Sequence, residues 1–263
     1  MILSHRAALN EVQLDSLDDR ILVQGVDEAA GKDQITAVSL FGGVGQRITN
    51  RHRDYLEVTV RFSLRVRKND MQTRTAILEQ VNAWAEPGGW LTLNYKPGRR
   101  LRVVCAQYPA AGDPWNWTGV YAIVFRAYAV PFWQQDPPGM LTATGSSITR
   151  SIGVGGNTDT VLDLTFKNTS GIVCDTFTVS AGGSVISLSS LGLASGETLH
   201  IDHTEEGLLR IRIQSSGVSY RSALDKRTPE SGDDLWVRPG TVAVSVTAQR
   251  TGTLTLSCAG RYT

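Results

Sequence analysis

The chain has no long hydrophobic run, no excess of charge of one sign and no repeated cysteine spacing. Its 263 residues carry 26 Lys+Arg against 25 Asp+Glu, a formal net charge of +1, which is too balanced for nonspecific binding to duplex DNA or to an anionic membrane. No window approaches about eighteen consecutive apolar residues, so the sequence predicts no membrane-spanning helix. The first twenty residues carry acids where a secretory signal needs an apolar core, and we expect synthesis in a cytosol.

Recognisable catalytic patterns are also missing. The chain has only four histidines and no GxSxG nucleophile elbow. In a strand, His200 and Asp202 would face one way and His203 the other, so they would not converge on a metal or a substrate. Asp233 and Asp234 are neighbouring carboxylates, but no pattern around them indicates the burial that acid and base catalysis needs. We therefore expect a protein that is not an enzyme.

Cysteine is scarce, with three widely spaced residues: Cys105, Cys174 and Cys258. Each lies in a strand-like run, and we expect buried, reduced thiols; the alternative is a disulfide or a reactive thiol. Their spacing does not fit a zinc site, so the sequence predicts neither a metal nor another cofactor.

The most regular pattern that the chain does contain is YLEVTVRFSLRVR at residues 55–67. Apolar residues occupy every second position from Leu56 to Val66, which is typical of a strand with one face towards a core and one towards solvent or a partner. A strand of this length would span roughly 40 Å. Such a strand suits a sheet that continues across subunits, so it is a first indication of a structural assembly protein.

The polar face of this strand carries Arg61, Arg65 and Arg67. Guanidinium groups suit interfaces with acidic partners, so these residues are candidates for a contact between subunits; the alternative is a solvated strand face. Upstream, Arg47 and Arg51 follow the flexible GGVG stretch, which lacks the Lys-Ser or Lys-Thr of a phosphate-binding loop. We expect this loop to order against a neighbouring subunit.

One helix is predicted from Asp70 to Ala85, with Asp70 as the N-cap and with Trp84 on an apolar stripe that packs on a sheet. Residues 90–95 and 101–108 then flank KPGR, in which Pro97-Gly98 is typical of a type II turn. These patterns predict a helix followed by a β-hairpin.

Residues 118–131 are nearly all apolar, which predicts a strand that is covered on both faces. The loop before this strand contains Trp115 and Trp117, which are candidates for stacking on a sugar ring or on a partner. The alternative is that both side chains pack against the sheet edge of their own domain.

The composition changes at QQDPPG, residues 134–139, which predicts domains at 1–136 and 139–263. The second domain shows strand patterns roughly every eight to twelve residues, the first at 147–154 and the last two at 241–248 and 252–262. Without a helical period, it is expected to be a two-sheet antiparallel sandwich of jelly-roll or lectin type. Tyr220 and Trp236 are its candidates for stacking on a glycan or a partner, with internal packing as the alternative.

The order of these elements resembles the distal tail proteins of siphophages, over nearly the whole chain. The resemblance rests on the arginine-bearing strand, the helix ending in VNAWAEPGGW, the hairpin LTLNYKPGRRLRVVCAQYP, the strand GVYAIVFRAYAVPFW, the Pro-Gly junction and the final DDLWVRPGTVAVSVTAQRTGTLTLSCAGRY. Where the family commonly has Asn after the late Pro-Gly, this chain has Thr241.

This resemblance implies a mainly β structural protein of the virion, made in the host cytoplasm and located at the phage tail tip. Residues 1–136 would be a β-sandwich or tube-like domain with one helix that forms a hexameric ring, and residues 139–263 a peripheral galectin-like sandwich. The implied partners are the other copies of the chain, the tail-tube protein, a tail-tip hub or tail-associated protein, and receptor-binding proteins or a host glycan. DNA would only pass through the channel.

Two other classes of function compete with a tail-tip ring. One is a carbohydrate-binding adhesion module, in which the second domain recognises host cell-wall glycans and the first is an anchor. The other is a hydrolase, which the missing catalytic residues disfavour.

Overall fold

The structure is a computed structural model of the 263-residue chain. It describes residues 6–29, 33–39, 46–67, 70–109, 119–204, 207–215, 217 and 219–263, without the side chains of residues 33, 38, 39 and 46–52. The chain forms two compact units, Met1–Trp133 (unit 1) and Gln134–Thr263 (unit 2). The division lies at the start of the QQDPPG segment.

Unit 1 is a β structure with one α-helix along its described residues, which confirms the predicted mainly β class. Its elements are β1 (Ala7–Leu9), β2 (Val12–Gln13), β3 (Ile21–Ala29), β4 (Asp33–Ser39), β5 (Gln46–Arg53), β6 (Leu56–Leu64), α1 (Met71–Ala85), β7 (Gly89–Leu93), β8 (Arg99–Gln107) and β9 (Val120–Ala127). The main sheet runs in the order β2-β1-β7-β8-β9-β6-β3, and β4 and β5 form a separate antiparallel pair. A short strand, β10 (Trp133–Gln135), lies at the division between the units.

Strand β6 keeps the predicted alternation but is shorter than predicted. Val58, Val60 and Phe62 are fully buried, and the residues between them are partly or fully exposed. The pairing of β6 with β3 ends at Leu64, which lies opposite Ile21, the first residue of β3. Because β3 offers no further partner, the strand stops there. The predicted strand over residues 55–67 is wrong at Tyr55 and in its last three residues.

Helix α1 is confirmed, with Asp70 as its N-cap. The carboxylate of Asp70 accepts a hydrogen bond from the Thr73 N–H at 3.0 Å. Trp84 is half-buried, contacts the Phe125 ring edge-on at 5.9 Å between centroids and donates from Nε1 to the Val12 carbonyl at 3.1 Å. Trp84 is therefore a packing residue. Among the described residues, no helix is long and apolar enough to cross a membrane.

Strands β7 and β8 form the predicted hairpin. Gly98 has a φ of 69°, the left-handed value that a type II turn requires at its third residue. Leu91 of β7 pairs with Leu101 of β8, and both are fully buried.

Strand β9 differs from the predicted strand over residues 118–131, because it ends at Ala127 and only one of its faces is covered. Ile123, Phe125 and Ala127 are fully buried, whereas Val120 is 50% exposed and Val124 is half-buried. The sheet of unit 1 therefore has an apolar inner face and a second face that also carries apolar side chains.

Glu28 joins three distant parts of unit 1. Its carboxylate accepts hydrogen bonds from the Tyr95 hydroxyl at 2.8 Å, from Lys96 Nζ at 2.6 Å and from Trp133 Nε1 at 2.9 Å. Burial and the Glu28 carboxylate raise the pKa of Tyr95. The ammonium of Lys96 also lies 4.7 Å from the centre of the Trp133 ring. Glu28 thus connects β3, the turn between β7 and β8, and the end of unit 1.

We expect Glu28→Ala to lower the free energy of unfolding by about 2 kcal/mol, because it leaves the partly buried Lys96 without its counter-ion and removes three hydrogen bonds. Urea unfolding followed by tryptophan fluorescence measures the loss. Glu79→Ala, at an exposed helix position, is the matched control and should change stability little. Equal effects of the two variants would contradict the assigned role of Glu28.

Unit 2 is built of strands alone, apart from one short 3-10 turn, along its described residues. Their bounds are β11 (Gly139–Val154), β12 (Thr160–Val161), β13 (Asp163–Asn168), β14 (Phe177–Ala181), β15 (Ser184–Leu188), β16 (Thr198–His203), β17 (Leu209–Gln214), β18 (Tyr220–Ser222), β19 (Trp236–Val237), β20 (Gly240–Cys258) and β21 (Arg261–Tyr262). The larger sheet has the order β15-β14-β20-β13-β16-β17-β18, with β11 paired to β20.

Two long strands form the spine of unit 2. β20 is continuous over 19 residues, so the prediction of two strands separated near residue 250 is wrong. One edge of β20 pairs with β11 along nearly its whole length, and the other edge pairs first with β14 and then with β13. The polar segment before residue 147 was not predicted as strand. It belongs to β11 because it pairs with the second half of β20.

The strands of unit 2 pack around one hydrophobic core. Phe166 of β13 and Phe177 of β14 are fully buried, with ring centroids 5.1 Å apart. A single cluster contains the inward residues of β13, β16 and β17 and those of β14 and β15. The predicted sandwich is therefore confirmed, while a specific likeness to galectins stays a prediction.

The cysteines are unpaired, as predicted. Cys174 and Cys258 are buried in unit 2, and burial raises the pKa of Cys258 to about 12, so this thiol stays protonated at neutral pH. Cys105 of unit 1 is only half-buried, which corrects the expectation for that residue.

Candidate functional site

The predicted arginine row of unit 1 is not a continuous strand face. Arg61 lies on β6, but Arg65 and Arg67 follow the end of the strand and are exposed there. Arg61 forms an ion pair with Asp27 of the neighbouring strand β3. Both side chains are about half exposed, so this ion pair contributes less than about 1 kcal/mol to stability. An interface role for the three arginines stays a prediction.

Four other predicted site residues have side chains outside the described part of the structure. Arg47 and Arg51 lie on strand β5 and not in a loop, which corrects that expectation, but their side chains are outside the described part of the structure. Trp115 and Trp117 lie outside the described residues altogether.

The outer face of unit 1 is the surface that turns away from the buried residues of β6 and β9. Its register places Ser63 opposite Val120, Arg61 opposite Ala122, and Thr59 opposite Val124. We define it by Leu22, Glu57, Thr59, Arg61, Ser63, Val104, Val120, Ala122, Val124 and Arg126.

Apolar and charged residues are mixed on the outer face of unit 1. Val104 and Val120 are each 50% exposed, and Leu22 is 39% exposed. Arg126 pairs with Glu57 at 2.8 Å, and its guanidinium lies 4.8 Å from the centre of the Tyr55 ring. Exposed valines on a sheet face between paired charges are typical of a surface that binds another protein. Sequence analysis missed Val120 because its strand was expected to be covered on both sides.

The polar face of unit 2 lies on the side of its sheet away from the core. Leu199, Ile201, Ile211 and Ile213 point inward and are at most 2% exposed, so the residues between them face outward. We define the polar face by Lys167 of β13, Thr198, His200 and Asp202 of β16, Arg210, Arg212 and Gln214 of β17, and Tyr220 of β18.

The polar face contains a network of short contacts. The Asp202 carboxylate accepts hydrogen bonds from Arg210 Nε at 3.0 Å and from an Arg212 terminal nitrogen at 2.7 Å. His200 Nε2 and the side-chain oxygen of Gln214 are 3.0 Å apart. These contacts hold the polar side chains of β16 and β17 in fixed positions on the sheet.

Both predicted stacking residues of unit 2 are on its surface. Tyr220 is 45% exposed, and the Arg212 guanidinium lies 4.2 Å from the centre of its ring. Trp236 is 46% exposed, with the Arg261 guanidinium 5.4 Å from its ring centre. Trp236 lies on β19, outside the polar face, so the structure does not bring the two aromatic residues into one site. Their role in stacking on a ligand stays a prediction.

A buried histidine cluster was missed by sequence analysis. His203 Nδ1 lies 2.6 Å from the Asp163 carboxylate, and His203 Nε2 lies 2.7 Å from that of Asp234. The His203 side chain is 6% exposed and that of Asp234 is 13% exposed, so Asp234 is largely buried although no sequence pattern indicated it. His203 does point away from His200 and Asp202, as the strand pattern predicted.

Two carboxylates keep His203 protonated. Burial by itself would lower the pKa of His203, but the hydrogen bonds and negative charges of Asp163 and Asp234 outweigh this effect and raise the pKa to about 9. A protonated imidazole that donates from both nitrogens has no lone pair for a metal or for proton abstraction. The cluster is therefore a structural clamp between β13, β16 and the segment before β19. Among the described residues, no group of three or more His, Cys, Asp and Glu is arranged to hold a metal ion.

Comparison with solved structures gives a match over the whole chain. The Dit protein of phage SPP1, presented as a paradigm of the hub adsorption apparatus in phages that infect Gram-positive bacteria, matches with a TM-score of 0.68 at 13% identity, over 97% of this chain and 98% of that chain. Two structures of the activated phage p2 baseplate, with strontium and with calcium, match at 7% identity with TM-scores of 0.46 and 0.47. They cover 96% and 97% of this chain and 97% and 98% of those chains, but scores this low carry no argument.

Comparison of sequences finds no relative, because no protein-family model and no curated protein matches the chain. The structural match rests on fold alone, at an identity too low to transfer a function. The chain has the fold of a phage adsorption-hub protein over nearly its whole length.

Proposed function

We propose that this chain is a structural protein of a phage tail tip, in which unit 1 forms a hexameric ring and unit 2 lies at the periphery. The observation that carries the proposal is the structural match to a hub protein. This match covers both units of the chain and is not limited to a single sandwich domain of a common type. In this role the chain is not an enzyme. It is made in the host cytoplasm and resides in the virion.

The outer face of unit 1 and the edge of its sheet support an assembly role. A closed ring repeats one contact between two different surfaces of each subunit. The outer face offers exposed valines for one such surface. β3 ends the sheet order, so its nine residues offer an open edge among the described strands, and open edges are sites of strand pairing with another chain.

The partners follow from the position of such a ring. The proposed contacts are with other copies of the chain, with the tail-tube protein on one side and with a tail-tip hub or tail-associated protein on the other. Receptor-binding proteins are further candidates, and DNA would only pass through the channel.

Native mass spectrometry and negative-stain electron microscopy test the ring directly. We expect a hexamer with a central hole, either for the purified chain at micromolar concentration or after addition of the tail-tube protein. A chain that stays monomeric under both conditions would refute the proposed ring.

A substitution on the outer face tests which surface forms the contact. Val120→Asp should weaken each subunit contact by about 2 kcal/mol, because a carboxylate replaces an apolar group that the contact buries, and six repeats of this loss should dissociate the ring. Val173→Asp, at a 43% exposed valine of unit 2, is the matched control and should leave the hexamer intact. A fully assembled Val120→Asp ring would exclude the outer face as the contact.

Recognition of a host glycan by unit 2 is the second candidate function. One observation favours it: Tyr220 is exposed beside a set of fixed polar side chains, which is the usual composition of a shallow ligand site. This function is compatible with the ring, because it uses residues of unit 2 alone.

A further inference from the structure

We propose that the polar face of unit 2 binds an acidic saccharide, meaning a saccharide that carries carboxylate or phosphate groups, with Tyr220 as the stacking platform and Lys167 as the cation that receives the negative group. This inference rests on the glycan recognition proposed above and is independent of the ring. It assigns the ligand class and the residues of the site.

The register of the strands places the site residues in one row. Lys167 pairs with Thr198, Thr198 with Gln214, and Gln214 with Tyr220. Residues paired in this way point to the same side of the sheet. With neighbouring strands about 4.8 Å apart, the row from Lys167 to Tyr220 spans roughly 14 Å. A row of this length accommodates a short oligosaccharide, not a single sugar ring.

Tyr220 is held in place as a platform. The Arg212 guanidinium lies against its ring, and the His200 ring contacts it edge-on at 5.6 Å between centroids, with an angle of 74° between the planes. Arg212 is itself fixed by Asp202 at 2.7 Å. An aromatic ring that is already ordered loses little conformational entropy when a sugar ring packs on it. The 45% exposure of Tyr220 leaves surface for that contact.

Polar groups for sugar hydroxyls lie within this row and in the row beside it. Thr165 and His200 form the neighbouring row with Arg212, and Thr198 and Gln214 lie between Lys167 and Tyr220. These side chains provide both donors and acceptors, which a polyhydroxylated ligand needs. The row lacks the exposed aliphatic residues that would anchor an amphipathic helix of a protein partner.

The charge of the polar face selects an acidic ligand. Lys167, Arg210 and Arg212 carry three positive charges, and Asp202 supplies one negative charge, so the face has a formal charge of +2. Asp202 is shared between the two arginines, whereas Lys167 is exposed and forms no ion pair within the described part of the chain. Lys167 is thus the group with an unneutralised charge, at the far end of the row from Tyr220.

The test measures binding of the full chain to three probes by isothermal titration calorimetry: an oligogalacturonate, a poly(glycerol phosphate), and a neutral cello-oligosaccharide. The first two distinguish a carboxylate from a phosphate source of the negative charge. We expect at least one acidic probe to bind, and the neutral probe to bind roughly tenfold more weakly or not at all. No binding of either acidic probe at millimolar concentration, or equal binding of the neutral probe, would overturn the assignment.

Two pairs of variants locate the site. Tyr220→Ala should weaken binding of the acidic probe roughly tenfold, while Trp236→Ala, at an equally exposed aromatic outside the polar face, should leave it unchanged. Lys167→Gln should weaken binding of the acidic probe and reduce the salt dependence of this binding, while Lys226→Gln should change neither the affinity nor its salt dependence. Tyr220→Phe keeps the ring and should keep most of the affinity, which separates stacking from misfolding. Loss of binding in the Trp236 or Lys226 variant alone would overturn the proposed location.

The oligomeric state of the same variants distinguishes the saccharide inference from the proposed ring. Native mass spectrometry of the Tyr220→Ala variant should give the same oligomer as the unsubstituted chain, because Tyr220 is not part of the outer face of unit 1. A hexamer without saccharide binding would reject the saccharide inference and leave the proposed ring intact. Saccharide binding by a chain that stays monomeric would support the saccharide inference and reject the ring.

Discussion

Replacing Asn168 with leucine is expected to destabilise unit 2 by about 4 kcal/mol, because it removes the four hydrogen bonds of a fully buried side chain. Asn168 is fully buried at the end of β13. Its Nδ2 donates to the carbonyls of Ile172 at 2.8 Å and Leu193 at 2.9 Å, and its Oδ1 accepts from the N–H and the hydroxyl of Ser170 at 3.0 Å and 2.7 Å. Leucine has a similar volume but can make none of these bonds.

Thermal and urea unfolding of the full chain measure this loss. Asn157→Leu is the matched control, since Asn157 is exposed and its side chain exchanges hydrogen bonds with Thr263 near the surface. It should cost less than about 1 kcal/mol. If Asn168→Leu were no more destabilising than Asn157→Leu, the network around Asn168 would not be a determinant of the fold.

The second large effect is a dependence of the stability of unit 2 on pH. The pKa of His203 is raised from 6.5 to about 9 by its two carboxylate partners. A group whose pKa is raised by folding stabilises the folded state fully below its unfolded pKa, and this contribution is lost as the pH rises through its folded pKa. We therefore expect the free energy of unfolding to fall between pH 6.5 and pH 9. Because Asp163 is 44% exposed, solvent screens its charge, and we expect the loss in the free energy of unfolding to be about 2 kcal/mol.

Urea unfolding at a series of pH values measures this slope. His203→Gln should abolish most of it, because glutamine can bond to the carboxylates but does not titrate. His200→Gln removes the other histidine of β16, which bonds to the neutral Gln214, and should keep the slope. Stability that rises over this pH range, or an unchanged slope in His203→Gln, would contradict the clamp.

Local patterns predicted helix α1 and the hairpin of β7 and β8 in unit 1, but not strands β1, β2, β4 and β5. The N-cap at Asp70 and the turn at Gly98 depend on residues within a few positions of each other, and both were confirmed. The end of β6 was missed, because a strand stops where its partner stops, and the start of β3 at Ile21 is not visible in the alternation of residues 55–67.

The main error in unit 2 is the predicted break between the strands 241–248 and 252–262, because β20 is continuous across it. In the structure Gly252 lies inside β20, where a Cβ atom would collide with the Phe166 ring and the Lys167 carbonyl. The glycine therefore permits a close approach of β13 to β20, which is the less common reason for a glycine in a strand.

The candidate sites were predictable only in part. Tyr220 was identified from its type and position, but its neighbours His200 and Arg212 are brought to it by strand pairing. Asp163 and Asp234 lie 40 and 31 residues from His203, and no local pattern connects them. The exposure of the β9 valines on the outer face of unit 1 was not predicted, because the apolar run that contains them is typical of a strand covered on both faces.

The long pairing of β11 with β20 gives unit 2 a weak and a strong mechanical direction. Gly139, the first residue of β11, pairs with Cys258, the last residue of β20, and Val154 pairs with Gly240 at the opposite end. Tension that separates residues 139 and 258 would peel the two strands apart one pair at a time, so each hydrogen bond would resist alone. Tension applied between residues 139 and 240 would shear the strands along their length and load the whole ladder of bonds at once. Unit 2 would therefore resist a pull along these strands far better than a pull that parts them.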